Sequence, residues 1–501
     1  MQRRLDMKRG IIHLREIGIE FSKKDFEYDV YNLVRAFYPA SDVQISYVGE
    51  ESEACKLFIC LSYAVDSITL TVTQDGKEAY SEAIELDYYA ERKDTKNQLK
   101  RLVYRGMKAI TGKELPWGTL TGIRPTKLPM RLLEGGMSNL AIAQFMRETY
   151  YCGNEKTALS IAIVNQEADI LKSFDYKNGY SLYIGIPFCP SICLYCSFGS
   201  HPIARYEMQV EEYLQALFKE IDFVGEAFKN KRLDTIYIGG GTPTTLSAEQ
   251  LRRLLRHVCD SVDVRHLQEF TVEAGRPDSV TAEKLEVLTE FPVTRISINP
   301  QTMNQETLDI IGRKHTVAQV REAFHLAREM GFDNINMDLI VGLPGEDASK
   351  VEDTLAEVQR LDPDSLTVHS LALKRATRLT LFKDEYENIS FDNSQAIMDR
   401  ASECASGQQM RAYYLYRQKN IAGNFENVGY AKAGKYGIYN ILIMEEKQTI
   451  LAVGAGAATK LVFDDAKRVE RVENVKDVNA YISRIDEMIE RKRIGIKTWL
   501  K

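Results

Sequence analysis

The sequence predicts an α/β fold: a partial (β/α)6 barrel, preceded by an α+β domain and followed by an appended α+β region. Three observations predict it. Apolar, strand-like runs recur six times from about Tyr180 onward, and helical patterns separate them. Strand, helix, strand in that rhythm means a parallel sheet, because parallel neighbours need a crossover between them. Residues of unusual chemistry also fall at the C-terminal ends of these runs, where parallel α/β sheets keep their chemistry. Six units are too few for a closed eight-stranded barrel.

Residues 1–110 combine the strand-like runs VQISYVG, KLFICLS and SITLTVT with helical stretches near Asp29–Phe37 and Lys96–Ile110. That mixture reads as a small α+β domain without a catalytic cluster. The Gly- and Pro-rich stretch ELPWGTLTGIRPTKLP opens a helical linker region, residues 111–178, whose helix runs over roughly 127–173 and ends in the turn DYKNG. Residues 179–390 carry the six runs SLYIGIP, DTIYIGGG, EFTVEA, VTRISINPQ, NINMDLIVGLP and SLTVHSLAL. Between them, AEQLRRLLRHVC places Leu251, Leu254, Leu255 and Val258 on one helical face. VAQVREAFHLAREM does the same with Val317, Val320, Phe324 and Ala327. Residues 391–501 begin with a helix around Gln395–Met410. They continue with a strand-like pair, YNILIM and QTILAVG, bounded by glycine-rich turns.

With 44% hydrophobic and 27% charged residues, the 501-residue chain can bury real cores. Its net charge of -6 gives no electrostatic case for a nucleic-acid partner. The start, MQRRLDMKRGIIHLREIG, has charges inside its apolar stretch and no signal-peptide core. No apolar run reaches membrane-spanning length. The expectation is a cytoplasmic chain without a membrane span. In a reducing compartment, clustered cysteines point to metal or redox chemistry rather than disulfides.

Such a cluster exists. FCPSICLYCSF, residues 188–198, follows the first parallel run and holds three of the eight cysteines: Cys189, Cys193 and Cys196. A structural zinc site usually takes four ligands, often as two Cys-x-x-Cys pairs. No second pair is present, and His201 is the one nearby nitrogen ligand. Three thiolates suit a [4Fe–4S] cubane with one iron left open. An open iron can chelate an amine and a carboxylate, the two groups carried by the methionine end of S-adenosylmethionine. Three buried structural cysteines, or a zinc knuckle completed by His201, are the alternatives.

CPSICLYC resembles the Cys-x3-Cys-x2-Cys signature of the radical S-adenosylmethionine superfamily. The fuller run YIGIPFCPSICLYCSF resembles its oxygen-independent coproporphyrinogen III dehydrogenase branch, which includes haem-chaperone relatives. The likeness covers roughly residues 180–460, and the extension with GTLTGIRPTKLP resembles a longer variant of that branch. The resemblance implies a (β/α)6 radical-SAM barrel and a [4Fe–4S] cluster on Cys189, Cys193 and Cys196. It implies one or two molecules of S-adenosylmethionine.

It also implies roles for further residues. GGGTPT, with Gly239, Gly240, Gly241 and Thr242, ends the second strand. Consecutive glycines let the backbone approach a ligand and expose N–H groups to it. By resemblance this loop contacts the methionine amino and carboxylate groups. Glu273 ends the third strand and would bind polar groups of the cofactor, with a salt bridge to Arg276 or Arg295 as the structural alternative. Gln301, Arg313 and Asp338 would surround the adenosyl moiety or a neighbouring site. Tyr183 matches a tyrosine close to cofactor and substrate. Tyr413, Tyr414 and Tyr416, with Arg411 and Arg417, would suit a flat macrocycle edged with propionates.

The reaction so implied starts with a 5'-deoxyadenosyl radical, which takes hydrogen from the β-carbon of a propionate. Loss of carbon dioxide and one electron then leaves a vinyl group. Two rounds would turn coproporphyrinogen III, the tetrapyrrole substrate, into protoporphyrinogen IX. A low-potential electron donor such as flavodoxin or ferredoxin is required, together with an electron acceptor that the sequence leaves unidentified. Two residues depart from the dehydrogenase pattern on the substrate side: Phe198, where those enzymes carry cysteine, and Gly185, where histidine is frequent. A phenylalanine at that first position is what the haem chaperones carry. Haem carriage, or another radical reaction on a tetrapyrrole, are the alternative functions.

Overall fold

The computed structural model describes residues 15–39, 41–50, 55–86, 91–197, 199–372, 377, 393–418, 425–463 and 468–499. Phe198 lies outside them. The chain divides into two compact units, Met1–Ile161 and Ala162–Lys501.

In the first unit, β1 (Arg15–Phe21), α1 (Glu27–Phe37), β2 (Val43–Tyr47), β3 (Cys55–Tyr63), β4 (Ser67–Gln74), β5 (Lys77–Glu85) and α2 (Arg92–Thr111) follow one another. The five strands make one sheet in the order β2-β1-β3-β4-β5. β1 is parallel to both neighbours, and β3, β4 and β5 form an antiparallel meander. Alternate residues Leu57, Ile59 and Leu61 of β3 and Ile68, Leu70 and Val72 of β4 are buried with Leu33 and Val34 of α1 and Leu102 and Val103 of α2. That period of two is what makes a sheet with one covered face. The three runs VQISYVG, KLFICLS and SITLTVT are strands as expected; β1 and β5 are additional. The expected helical stretch over roughly 127–173 is made of three helices: α3 (Lys127–Glu134), α4 (Asn139–Tyr150) and α5 (Asn154–Leu171). Gly135 and Gly136, the latter at φ 84°, stop the first of these.

The second unit holds the six predicted strands: β6 (Gly179–Ile186), β7 (Arg232–Gly240), β8 (Glu269–Glu273), β9 (Arg295–Ser297), β10 (Ile335–Val341) and β11 (Ser365–Ser370). They run parallel in sequence order. The helices α6 (Val210–Phe228), α7 (Ala248–Ser261), α8 (Ala282–Thr289), α9 (Val317–Glu329) and α10 (Ala348–Leu361) form the crossovers. Capping boxes start two of them, Ser247 with Gln250 and Thr316 with Gln319. The face of α7 read from the sequence, Leu251, Leu254, Leu255 and Val258, is fully buried. On α9, Val320, Phe324 and Ala327 are buried and Val317 partly so.

The C-terminal residues extend this sheet at both ends. After α11 (Gln395–Gly407), β12 (Arg411–Tyr416) and β13 (Asn427–Ala431) join antiparallel beside β11. Beyond α12 (Ile438–Glu445), β14 (Thr449–Val453) pairs parallel with β6, and β15 (Ala458–Phe463) and β16 (Arg468–Glu473) follow it antiparallel. The sheet thus has eleven strands, β12-β13-β11-β10-β9-β8-β7-β6-β14-β15-β16. α13 (Val478–Ser483) and α14 (Ile485–Trp499) close the chain. The expected strand pair needs correction on one side. QTILAVG supplies β14, but YNILIM is helix α12. The run buries Tyr439, Ile441, Leu442 and Glu445, a spacing of three and four. The Glu269 carboxylate also accepts from the backbone N–H groups of Ile438 and Tyr439 at the helix start.

Candidate active site

Along the six parallel strands the buried face that meets the helices is apolar: Leu182 and Ile184, Ile236 and Ile238, Phe270 and Val272, Ile296 and Ile298. The alternate residues point the other way and are polar: Ser181 and Tyr183, Thr235 and Tyr237, Thr271 and Glu273, Arg295 and Ser297, Asn336 and Asp338, Thr367 and His369. Those nearest the C-terminal ends, Tyr237, Glu273, Arg295, Ser297, Asn336, Asp338, Thr367 and His369, line a cavity of about 350 Å³. Its wall includes all three clustered cysteines, Gly240, Gly241, Thr242, Glu273, Gln301, Arg313 and Asp338. Gly239 and Tyr183 stand immediately behind. A Cβ on Gly239 would meet Glu273 Oε2 at 3.0 Å, and one on Gly240 would meet the Tyr183 hydroxyl at 3.2 Å.

The cysteine loop leaves β6 and is tied at several points. Leu194 is buried in an apolar cluster with Leu308, Ile311 and Leu343, and its N–H donates to Ile311 O at 2.9 Å. The Ser191 hydroxyl donates to Gly312 O at 3.1 Å. Cys189 Sγ lies 3.5 Å from the Thr242 hydroxyl. Burial pushes the Cys189 thiol up, against hydrogen bonds from Thr242 and Ser200 that pull it down. The glycine loop lies close under this segment. Gly241 N–H donates to Ile186 O at 2.7 Å and Thr242 N–H to Phe188 O at 2.7 Å. A Cβ on Gly241 would come within 2.5 Å of Phe188 O, so the position excludes any side chain. Among the described residues, no group of three or more His, Cys, Asp or Glu side chains is arranged to hold a single metal ion. His201 packs its ring edge-on against Tyr206 at 4.9 Å.

Glu273 accepts a short hydrogen bond from the Tyr237 hydroxyl. Burial raises its carboxyl to about 7; Asp338 adds to the rise, while Tyr237, Arg295 and His369 oppose it. Arg276 pairs instead with Asp278 at 2.7 Å, and Arg295 donates to the Ser365 hydroxyl at 3.0 Å. Asp338 is partly buried, yet His369 at 3.8 Å and the Asn336 amide at 2.7 Å outweigh the desolvation and hold it below the usual carboxylate range. Gln301 has φ 67°, a left-handed conformation unusual for its type. Its backbone is stitched to β10 through Asp338 O at 3.0 Å and Ile340 N at 2.9 Å. Arg313 is committed to Asn299 O at 2.7 Å, Gly275 O at 3.1 Å and the Tyr195 hydroxyl at 3.2 Å. Four buried polar atoms here have no protein partner: Arg295 Nε, Ser297 Oγ, Gln301 Oε1 and Arg313 Nε. Such atoms are costly unless a ligand meets them.

Tyr183, Tyr237 and Tyr439 form a stack, with ring centroids 6.2 Å apart for the first pair and 4.5 Å for the second. Of the tyrosine run, Tyr414 and Tyr416 line the cavity with their ring planes nearly parallel, at 11°. Tyr416 Oη is 3.2 Å from His369 Nδ1. Tyr413 is fully buried on another side, Arg417 is buried and Arg411 is exposed. Tyr237, Arg276, Arg295, Asn336, His369 and Tyr439 were not foreseen as site residues. The signal for four of them was a polar residue at every second position of otherwise apolar runs.

The model of the Radical SAM superfamily matches residues 183–358. The oxygen-independent coproporphyrinogen-III oxidase-like protein HemZ of Bacillus subtilis is 39% identical over 470 residues, covering 92% of this chain and 93% of that one. The heme chaperone HemW of Bacillus subtilis is 36% identical over 290 residues, 55% of this chain and 70% of its own length. Among solved structures, coproporphyrinogen III oxidase of Escherichia coli matches with a TM-score of 0.50 at 21% identity, over 63% of this chain and 71% of its own. The architecture of the second unit is therefore that of a radical SAM barrel. The chain belongs to the oxygen-independent coproporphyrinogen III oxidase branch of the radical SAM superfamily. No described helix is long and apolar enough to cross a membrane.

Proposed function

We propose that the chain is an oxygen-independent coproporphyrinogen III oxidase. It would convert two propionates of this tetrapyrrole to vinyl groups and yield protoporphyrinogen IX. The observation that carries the reading is the convergence of Cys189, Cys193 and Cys196 with the glycine strand end and Glu273, Gln301, Arg313 and Asp338 on one cavity. The similarity to a coproporphyrinogen oxidase-like relative over 92% of the chain supports it.

The residues fit an iron–sulfur group and S-adenosylmethionine. Three thiols line one wall, and two buried guanidiniums lie within 4.0 Å of Cys193 Sγ. The cysteines would hold a [4Fe–4S] cluster with one open iron. When bound, that cluster and S-adenosylmethionine supply the adenosyl radical. Gly239, Gly240, Gly241 and Thr242 would take the methionine end, since Gly240, Gly241 and Thr242 line the cavity beside the cysteines. Asp338, ionised, would accept from ribose hydroxyls, and the unpartnered Gln301 amide oxygen offers a further acceptor. Arg313 keeps the loop over this site in register. Tyr183 sits within the tyrosine stack behind Gly240 and would act between cofactor and substrate. Tyr414 and Tyr416 would offer the macrocycle an aromatic wall. The rest of the work is placement: a radical takes whichever C–H is nearest, so rigid positioning sets selectivity. Reduction would come from a low-potential donor such as flavodoxin or ferredoxin.

A second reading, haem carriage, is favoured by one finding: the likeness to several heme chaperones extends over 55–63% of the chain. Anaerobic reconstitution and turnover with coproporphyrinogen III separates the two. Vinyl product with 5'-deoxyadenosine is the expected outcome. Stoichiometric haem binding without decarboxylation would replace the first reading by the second.

A further inference from the structure

Of the two arginines near the cysteine loop, Arg276 has no role in the reading above. Its side chain is only 4% exposed. It grips Asp278 with two parallel bonds, Nε at 2.9 Å and Nη2 at 2.7 Å. Such a fork fixes the guanidinium plane. The remaining nitrogen, Nη1, reaches the cysteine loop: 2.9 Å to Ser191 Oγ and 3.8 Å to Cys193 Sγ. Arg313 reaches the same sulfur without a carboxylate fork, its Nη1 shared with the Tyr195 hydroxyl at 3.2 Å. Its Nη2 is spent on two backbone carbonyls, and its Nη1 lies 4.0 Å from the same sulfur. Cys189 Sγ, by contrast, has the neutral Thr242 hydroxyl as its neighbour. Both guanidiniums thus reach the Cys193 sulfur, and the charge of Arg276 is felt at Cys189 as well.

We propose that Arg276 is a positioning and potential-setting residue: together with Arg313 it holds the Cys193 sulfur and biases the group ligated there toward its reduced state. This rests on the reading of the three cysteines as iron–sulfur ligands. N–H donors to a ligating sulfur, and fixed positive charge near it, stabilise the more negative oxidation level and raise the reduction potential. The bracing through Asp278, with His315 Nδ1 3.9 Å behind that carboxylate, keeps the guanidinium from relaxing away.

The test is a redox titration of the full chain after anaerobic reconstitution, followed by electron paramagnetic resonance. Wild type, Arg276→Gln, Arg276→Lys and Ser191→Ala are compared at matched iron and sulfide content. At a fixed potential, Arg276→Gln is expected to lower the ratio of reduced to oxidised cluster about tenfold, equivalent to ~59 mV for a one-electron couple. Arg276→Lys, which keeps the charge but loses the fork, falls between it and wild type. Ser191→Ala, which removes only the loop tie, stays at the wild-type ratio. A ratio in Arg276→Gln equal to wild type overturns the inference. If Arg276→Gln retains too little iron to titrate, Arg276→Lys decides: a wild-type ratio there overturns it equally. A wild-type chain that takes up no iron and sulfide would instead overturn the reading of the cysteines themselves.

Discussion

Two buried polar clusters in the second unit have opposite designs. One centres on Glu220 of α6. Its Oε2 accepts from the Tyr481 hydroxyl at 2.6 Å and Gly454 N–H at 2.8 Å. Its Oε1 accepts from Lys492 Nζ at 2.5 Å and the Asn474 amide at 2.8 Å. Lys492 in turn donates to Asn474 Oδ1 at 2.7 Å. The other cluster lines the cavity and leaves Ser297 Oγ, Gln301 Oε1, Arg295 Nε and Arg313 Nε without protein partners. The first is closed: it pins α13 and α14 to α6 and has nothing left to offer a ligand. The second is open, and it holds the left-handed Gln301 and a carboxyl raised to about 7. Burial alone does not mark a functional group; burial with unmet hydrogen-bonding capacity does.

The comparison can be broken most severely at Lys492. Lys492→Met strands Glu220 as a buried charge and is expected to cost about 3–5 kcal/mol of stability. Denaturant unfolding measures it. A cost under about 1 kcal/mol would mean that the closed cluster is not what holds the C-terminal helices.

The next effect is one of pH. The Glu273 carboxyl is raised by burial from its ordinary 4.5 to about 7, so the neutral form is the one the fold favours. Its contribution to stability is whole below 4.5 and is lost as pH rises through about 7. The loss amounts to at most about 3 kcal/mol. Glu273→Gln should remove this part of the pH dependence, leaving the variant more stable than wild type above neutrality. Parallel curves for the two proteins would show that Glu273 does not titrate in that window.

Gln301→Gly sharpens the contrast. Glycine tolerates the left-handed backbone, so relief of strain should raise stability by about 1 kcal/mol. Loss of the amide should weaken S-adenosylmethionine binding about tenfold, or ~1.4 kcal/mol. The opposed signs, read by unfolding and by calorimetric titration, are the signature of an open site. Smallest is Tyr416→Phe. Removing the contact to His369 should cost about 0.5–1 kcal/mol and leave the fold intact.

Much of this organisation was legible in the sequence. The six parallel strands, the crossovers through α7 and α9, and the cysteine and glycine segments appear where apolar periodicity and spacing placed them. Local patterns of that kind survive folding because each strand and helix buries its own apolar face. What was not legible depends on distant partners. YNILIM has a composition suited to a strand, and only Glu269, far away in the chain, caps it as a helix. β5 is mostly polar and exposed and reads as a strand only beside β4, whereas β1 carries the alternation Ile17, Ile19, Phe21, a local signal that went unread. Arg276 shows the same limit at the site. Nothing in GRPDS reveals that its guanidinium ends beside Cys193, since that contact spans 83 residues.

The three thiols decide the chemistry. The most direct measurement is to reconstitute the full chain without oxygen, count iron, sulfide and zinc, then reduce it with S-adenosylmethionine and assay 5'-deoxyadenosine. Four irons and four sulfides per chain with formation of 5'-deoxyadenosine, both lost in Cys193→Ala, is the result predicted. Zinc without sulfide, or a fully loaded cluster that leaves S-adenosylmethionine intact, would contradict it.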